Sequence, residues 1–484
     1  MRIHLRSLAG CLALLAVVSL ALLPGSLDPD AWWHLRLGRD LLAGTGSIVG
    51  PEPLSFMSDG AFVDHSWLHG VLLALATDAV GLVGMSLVGL LPYLVIFAAA
   101  DVLVRRSLPN ISRFGRAAVL AAIALAGLPT LFGRAGAWDP AFALVILAVA
   151  GSRHRFRDAA IPPVLALWAM LHGAGLPLVP VILGAIAAER LLVGRSIRGV
   201  ASLVGAGLAG LLLLAFLPGG LDALLYPFSV ITSADQRAYI SEWRNLLTGL
   251  DGSIAPFLLV AVPSVAGLAL GGWRRVTLTG GILAFVFGLA FFVAFRWILL
   301  AAFVAGPLVA AGVIDGWRGQ FTDARLAGRV RVAATALLIG FAVVGGGSNT
   351  VAAVTGINDS YATDVYPDQG AAELRRLGAC GNVYTTYGWG GYLAANALDQ
   401  VGLYGEAGAL EAGGVDLGAW LRAEQGETPI LALFAAYEID RAIVENGWPV
   451  DQALARSGWI ERYRAGSESA IWDRPGSACA AQPR

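Results

Sequence analysis

Long apolar runs follow one another through the first 347 residues of this 484-residue chain. Most of the runs are roughly 17–25 residues long, the length that an α-helix needs to cross the hydrocarbon core of a bilayer. Hydrophobic residues make up 57% of the chain and charged residues only 14%, whereas a soluble domain carries about 25% charged residues. The sequence therefore predicts a polytopic α-helical membrane protein. We expect about eleven spans, near residues 8–24, 82–104, 115–132, 137–151, 160–174, 176–193, 199–217, 254–270, 276–294, 297–314 and 332–347.

The arginines predict the orientation of these spans. They cluster in short loops that all fall on one side of the predicted topology, and arginine-rich loops are typical of the cytoplasmic side. This places the N-terminus inside, with 8–24 as an uncleaved first span rather than a signal peptide. The long segments 25–81 and 218–253 and the tail 348–484 then lie outside. The arginines form no basic patch beyond these loops, which argues against a nucleic-acid partner.

The tail differs from the rest because its polar residues become common and its apolar runs become short. β-like runs at 382–387, 430–434, 442–445 and 470–472, with helical stretches at 369–377 and 417–424, predict a small α/β domain on the outer side. The sequence thus divides into a transmembrane domain at 1–347 and an outer domain at 348–484. Cys380 and Cys479 flank the domain, either as a disulfide or as two free thiols.

The first outer loop opens with an unusual group of polar and aromatic residues. Asp28 and Asp30 precede Trp32, Trp33, His34 and Arg36, directly after the first predicted span. Tryptophan favours the headgroup layer, and ionisable groups near hydrocarbon are costly. Either aspartate could instead cap a helix from Ala31 to about Ala43, which Gly44 would end. The alternative is a site for an amphipathic substrate, in which Asp30 and His34 share a helix face.

Further polar residues are predicted on the same side. Asp64, His65 and His69 have the spacing of metal ligands if His65 and His69 lie on one helix, but the favoured interpretation is interfacial packing by Trp67 with hydrogen-bonded histidines. His172 ends a predicted span, where polar groups usually face the protein interior. The run Glu242, Trp243 and Arg244 belongs either to the same site or to a solvated surface. Arg134 and Arg296 border spans, either to bind a phosphate or to reach the interface.

These motifs and their order resemble the GT-C superfamily of membrane glycosyltransferases. The segment Asp30–Arg36 is similar to the first-loop motif of oligosaccharyltransferase catalytic subunits. A bacterial family of the same superfamily is similar over nearly the whole chain. Its motifs match Asp28–Gly38, Pro53–Leu68, Trp168–Gly173, Ser241–Trp243 and Thr386–Leu393. Three positions differ from the pattern that we expect, namely Glu52, Gly388 and the run Gly405-Glu406-Ala407, so we do not expect catalysis in the tail.

The resemblance implies transfer of a sugar from a polyprenyl-phosphate or polyprenyl-diphosphate donor to a glycan, lipid or protein acceptor at a bacterial plasma membrane. It implies Asp30 as the catalytic carboxylate, with Asp28 in reserve, and it leaves open whether a divalent cation takes part. Trp32, Trp33, His34, Arg36, Asp64 and His65 would then contact substrate. Two alternatives are a catalytically silent relative that binds lipid-linked glycan or scaffolds envelope assembly, and a transporter or flippase.

Overall fold

Apolar helices occupy nine of the predicted spans within the part of the chain that the structure describes. A computed structural model describes residues 29–127, 134–233, 237–238, 243, 254–318, 320, 366–378, 380–466 and 468–482. The helices that match predicted spans are Leu82–Ser107, Arg113–Gly127, Trp138–Ala150, Ile161–His172, Leu178–Leu192, Ile197–Leu214, Ala255–Ala269, Leu278–Val293 and the segment that ends with Gly306–Arg318. The predicted spans 8–24 and 332–347 lie outside the described residues, so the full span count stays a prediction.

Three of the described helices are both long and apolar enough to cross a bilayer. They are Leu82–Ser107, Ile197–Leu214 and the continuous run Phe295–Arg318. The last begins with a 3₁₀ turn at Phe295–Trp297 and the short helix Ile298–Leu300, passes through a π-helical turn at Ala301–Ala305, and continues as Gly306–Arg318. A helix of about 20 residues spans the hydrocarbon core, so these segments fit an integral membrane protein.

The described residues form two compact units. The helical unit contains the described parts of 86–227 and 241–318, and the loop–tail unit contains those of 29–85, 228–240 and 366–482. The first outer loop therefore packs with the tail, whereas the sequence grouped it with the spans. The predicted boundary at residues 347 and 348 lies outside the described residues and stays a prediction.

The helical unit is held together by apolar packing and by a buried ion pair at the helix ends. Phe257, Phe291 and Ile298 pack in one cluster. Arg190 donates two hydrogen bonds to Asp158, at 2.7 and 2.8 Å, and others to backbone carbonyl groups of neighbouring segments. Removing one partner of such a buried pair typically costs about 3–5 kcal/mol, so the pair fixes these helix ends.

The first loop contributes two helices and a small hairpin to the loop–tail unit. Helix α1 (Asp30–Ala43) ends at Gly44, whose positive φ of 71° allows its N–H to cap the helix. Strands β1 (Val49–Pro51) and β2 (Ala61–Val63) pair antiparallel, and helix α2 (Trp67–Val80) follows. Helices α1 and α2 pack closely at Gly38 and Gly70. A Cβ atom on Gly38 would lie only 2.0 Å from the Gly70 carbonyl oxygen.

Two predictions about these helices are wrong. Asp30 is the first helical residue rather than the cap, since Pro29 occupies the capping position without a side-chain hydrogen bond. His65 and His69 do not share a helix, because α2 begins at Trp67. Asp28 lies outside the described residues.

The tail folds around a four-stranded mixed sheet. Its strands are β3 (Asn382–Thr385), β4 (Ile439–Glu445), β5 (Ile460–Ala465) and β6 (Ser469–Asp473), in the order β3-β4-β6-β5. Strands β3 and β4 are parallel, and the other neighbours are antiparallel. The helices of the tail are Asp368–Leu377, Gly390–Asn396, Ala407–Ala412, Leu417–Glu424, Ile430–Ala436 and Pro449–Arg456. The α/β character and the helices predicted at 369–377 and 417–424 are confirmed.

The predicted strand at 430–434 is wrong, because Ile430–Ala436 is a helix. Its buried residues are Ile430 and Phe434, which are four positions apart and therefore share a helix face, and its leucine and alanine residues favour helix. Strand β5 was missed at the sheet edge. Of the two alternatives for the tail cysteines, the structure shows the disulfide between Cys380 and Cys479.

Candidate active site

Asp30 lies where the first loop meets the tail. It is half-buried in the first turn of α1, and its Oδ1 accepts a hydrogen bond of 3.1 Å from the indole Nε1 of Trp33. A Cβ atom on Gly405 of the tail would lie 2.1 Å from the same oxygen. Only glycine leaves room for the carboxylate there, so the tail backbone and the Trp33 side chain together fix its position.

Acidic groups of the tail surround the region next to Asp30. The Tyr387 hydroxyl donates a hydrogen bond of 3.3 Å to the Gly405 carbonyl oxygen. Burial raises the pKa of Tyr387 well above its usual value, and the negative charges of Asp30, Glu406 and Glu424 raise it further. The phenol therefore stays neutral, and the local field is negative.

Glu424 is buried beneath this region and bonded to tyrosines. Its carboxylate accepts hydrogen bonds of 2.6 Å from the Tyr384 hydroxyl and 2.8 Å from the Tyr387 backbone N–H. Burial raises the pKa of Glu424 to about 7 despite these bonds. Glu424 therefore holds the loop that carries Tyr387 against the fold.

Three histidines of the first loop lie close together beside Trp33. The His34 ring packs against Trp33 at a tilt of 35° with centroids 3.6 Å apart, and it lies 5.7 Å from His69 and 6.4 Å from His65, centroid to centroid. His65 Nδ1 is 3.9 Å from Glu406 Oε2, and both side chains are buried. This pair brings Glu406 of the tail, which the sequence analysis set aside, to a predicted site residue of the loop.

Asp64 is buried beside these rings. Its Oδ1 accepts a hydrogen bond of 3.0 Å from the Ser66 backbone N–H. Burial raises the pKa of Asp64 to about 7, and the hydrogen bond from Ser66 opposes this shift. Among the described residues, no group of three or more histidine, cysteine or acidic side chains has an arrangement that could hold a metal ion.

Arg36 and Glu52 connect the loop to the tail. Arg36 donates to Asp40 and to the carbonyl oxygens of Ala394 and Leu398, the last two at 2.7 and 3.1 Å. Glu52 is buried, and its carboxylate accepts hydrogen bonds from two backbone N–H groups and from the Tyr404 hydroxyl. Through these contacts, Arg36 and Glu52 stabilise the loop–tail unit. Trp32 is likewise buried, and its ring packs edge-on against Tyr366 and Tyr392, which stack on each other.

A second polar cluster lies in the helical unit, around an aspartate that the sequence analysis missed. Asp139 Oδ1 is 2.7 Å from His172 Nδ1 and accepts a hydrogen bond of 2.9 Å from Trp168 Nε1. The sequence feature that could have identified Asp139 is its position at the start of an apolar run, directly after Trp138. Arg134 lies near His172, since both flank Gly136.

Two further predicted residues meet in the helical unit. The Arg296 guanidinium lies over the Trp243 ring, 4.3 Å from its centroid, which is a favourable cation–π distance. The outer loop is therefore linked to the start of the run Phe295–Arg318. Glu242 and Arg244 lie outside the described residues.

The fold is similar to that of several solved enzymes. No protein-family model matches the sequence, and no curated protein is significantly similar to it. The apo oligosaccharyltransferase of Archaeoglobus fulgidus matches with a TM-score of 0.58 at 12% identity, over 92% of this chain and 70% of that chain. ArnT from Cupriavidus metallidurans, bound to undecaprenyl phosphate, matches with a TM-score of 0.57 at 14% identity, over 98% of both chains.

A third structure extends the likeness to a complex. The A. fulgidus oligosaccharyltransferase AglB with an inhibitory peptide and a dolichol-phosphate matches with a TM-score of 0.58 at 10% identity, over 98% of this chain and 74% of that chain. These matches confirm the resemblance at the level of the fold. Over nearly its whole length, this chain is similar in fold to the archaeal oligosaccharyltransferase and to ArnT.

Proposed function

We propose that the protein is a membrane glycosyltransferase that moves a sugar from a polyprenyl-phosphate or polyprenyl-diphosphate donor to an envelope acceptor on the outer face. Two observations on fold relatives support this donor class, namely undecaprenyl phosphate bound to ArnT and dolichol-phosphate bound to AglB. The observation that carries the proposal is Asp30. It is a half-buried carboxylate that Trp33 and Gly405 hold in place at the loop–tail junction.

The proposed chemistry assigns Asp30 to the acceptor. An acceptor hydroxyl or amide attacks the anomeric carbon, the bond from that carbon to the phosphate oxygen breaks, and the phosphate leaves with the electron pair. Asp30 accepts the acceptor's proton or orients its lone pair, which typically contributes about 10²–10⁴-fold to a rate. Asp28 is the reserve carboxylate of this proposal. The acidic surroundings of Asp30 favour a neutral acceptor that becomes partly positive as it attacks.

Other groups have to stabilise the departing phosphate. We assign this role to the arginines predicted from the sequence, Arg134, Arg244 and Arg296, because guanidinium groups bind phosphate oxygens in a bidentate manner. His34, His65, Asp64 and Glu242 remain proposed substrate contacts, together with Trp32, Trp33, Trp243 and Arg36. The described residues do not form a metal site, so we derive no step through a cation.

We place the tail on the outer side of the plasma membrane. The disulfide between Cys380 and Cys479 supports this placement, because disulfides persist in oxidising compartments and are rare in the cytosol. A cysteine-accessibility assay in intact cells, with Ser457→Cys in the exposed part of the tail, tests it. Labelling by an impermeant maleimide is expected, and labelling only after lysis would refute the orientation.

The test of function is mass spectrometry of surface glycans in a deletion strain. Wild type and the control Asp59→Asn, at an exposed position of the same loop, should restore a sugar that the deletion strain lacks. Asp30→Asn should reach the membrane in equal amount without restoring it. Full restoration by Asp30→Asn would instead support a catalytically silent relative that binds lipid-linked glycan.

A further inference from the structure

Asp139 and His172 form a fixed pair at neighbouring helix ends of the helical unit. Asp139 lies in the first turn of Trp138–Ala150, and His172 is the last residue of Ile161–His172. The 2.7 Å contact between Asp139 Oδ1 and His172 Nδ1 is joined by the 2.9 Å hydrogen bond from Trp168 Nε1 to the same oxygen. A Cβ atom on Gly175 would lie 1.9 Å from that oxygen, so the backbone after His172 also fixes the carboxylate.

This arrangement sets the orientation of the imidazole. A carboxylate that binds Nδ1 holds the proton on that nitrogen and turns Nε2 away from itself. The ring edge that carries Cε1 points toward Gly136, where Cε1 lies 3.8 Å from the position that a Cβ atom would take. Arg134 Nε lies 3.6 Å from the same position. A Cβ atom on Gly136 would therefore contact both the imidazole of His172 and the side chain of Arg134, which places these two groups close together.

We propose that Asp139 is a positioning residue that holds His172 beside Arg134, so that both side chains bind the phosphate of the polyprenyl carrier. The inference rests on the proposed function, because that function supplies a lipid phosphate as ligand. Because Nδ1 of His172 faces the Asp139 carboxylate, the Nε2 side of the ring is the side that would face a bound phosphate. The guanidinium adds a charged donor.

Binding measurements on the full-length protein in phosphatidylcholine nanodiscs test this inference without any sugar. The probe is farnesyl phosphate, and farnesol and inorganic phosphate are run as separate arms. We expect His172→Gln, Arg134→Gln and Asp139→Asn each to weaken farnesyl phosphate binding by about 10–100-fold, the range expected for the loss of one hydrogen bond to a charged group. Farnesol binding should not change. Competition by inorganic phosphate identifies a site that accepts free phosphate, and its absence identifies one that needs the lipid chain as well.

The double variant Asp139→Asn/His172→Gln separates positioning from a merely structural role. If Asp139 acts through His172, the double variant should bind no more weakly than His172→Gln alone. His154→Gln is the matched control, because His154 is an exposed histidine of the same unit. If Asp139→Asn does not fold, His172→Gln and Arg134→Gln decide the question. Wild-type affinity in those two variants, or equal weakening of farnesol and farnesyl phosphate, would overturn the proposal.

These measurements also distinguish this inference from the proposed function. Asp30→Asn should bind farnesyl phosphate like wild type even though it transfers no sugar. If His172→Gln bound farnesyl phosphate normally while surface glycans still depended on Asp30, the phosphate site would be refuted and the transferase would stand. If Asp30→Asn restored the glycans while His172→Gln lost farnesyl phosphate binding, the proposed function would be refuted and the phosphate site would stand.

Discussion

Asp30 and Asp139 have closely similar surroundings in two different units of the molecule. Each is half-buried in the first turn of a helix, and each accepts a hydrogen bond from an indole N–H, at 3.1 Å from Trp33 and 2.9 Å from Trp168. A glycine also packs against each carboxylate, Gly405 in one case and Gly175 in the other. Both aspartates are therefore held in place in the first turn of a helix.

The two sites differ in the charge of their neighbours. Asp139 contacts His172, with Arg134 close by. Asp30 instead lies among acidic groups, because the negative charges of Asp30, Glu406 and Glu424 all act on Tyr387. A carboxylate among acids suits a group that develops positive charge, whereas a carboxylate that holds a histidine beside an arginine suits an anion. The same local construction therefore supports opposite halves of the proposed reaction.

The largest effects are expected from adding a methyl group against each aspartate. Gly405→Ala places its Cβ 2.1 Å from Asp30 Oδ1, and Gly175→Ala places its Cβ 1.9 Å from Asp139 Oδ1. A displacement of about 1 Å in a reacting group typically costs about 100-fold. Gly405→Ala should therefore lower sugar transfer about 100-fold with normal farnesyl phosphate binding, and Gly175→Ala should weaken that binding.

Matched controls exist in each unit. A Cβ atom on Gly388 or on Gly184 would have no neighbour within 4 Å, so Gly388→Ala and Gly184→Ala should behave like wild type in both assays. If Gly405→Ala and Gly175→Ala gave the same phenotype, the division of roles between the two aspartates would be wrong.

A smaller effect, on stability alone, is expected at Glu52. Burial raises the pKa of Glu52, but its carboxylate is bonded to Tyr404 and to backbone N–H groups. Glu52→Gln weakens these charge-assisted bonds and should lower the free energy of unfolding by about 1–3 kcal/mol. Chemical denaturation followed by tail tryptophan fluorescence measures this. Sugar transfer per folded molecule should stay at the wild-type level, and a selective loss of transfer would place Glu52 in the active site.

The smallest expected effect is the pH dependence of the stability of the loop–tail unit. Burial raises the pKa values of Asp64 and Glu424 to about 7, above unfolded values near 4. Between about pH 4 and pH 7 the folded state therefore binds more protons than the unfolded state. The free energy of unfolding accordingly falls as the pH rises through this window. We expect melting temperatures a few degrees higher at pH 5.5 than at pH 7.5.

The variant Asp64→Asn isolates this contribution. It should reduce the pH dependence of melting, and hydrogen exchange corrected for its intrinsic pH dependence should show the change in the loop–tail unit. An unchanged pH dependence in Asp64→Asn would show that Asp64 keeps its usual pKa.

The sequence predicted the helices better than the site. Apolar runs locate helices such as Ile197–Leu214 because the bilayer requires both length and hydrophobicity. The run 430–434 was assigned wrongly, since a short apolar run fits a buried strand and a helix face equally well. The edge strand Ile460–Ala465 has two adjacent charged residues, Glu461 and Arg462, and therefore lacks the strict alternation that predicts a strand.

The contacts between distant segments could not be read from the sequence. Asp30 was identified from its own motif, but Gly405 and Tyr387 follow it by more than 350 residues, and only the fold brings them together. Asp139 was missed because a lone aspartate at a helix start usually interacts only with the helix dipole. Its significance depends on Trp168 and His172 of the next helix. Motifs therefore identified single residues, whereas their neighbours required tertiary structure.

The most direct test of the central claim measures binding and turnover on one preparation of Asp30→Asn. Purified protein in nanodiscs is given a native polyprenyl-linked sugar, and bound carrier and transferred sugar are both quantified by mass spectrometry. We predict wild-type carrier binding together with a loss of transfer of at least about 100-fold. Transfer at the wild-type rate by Asp30→Asn would contradict the assignment of Asp30 as the catalytic carboxylate.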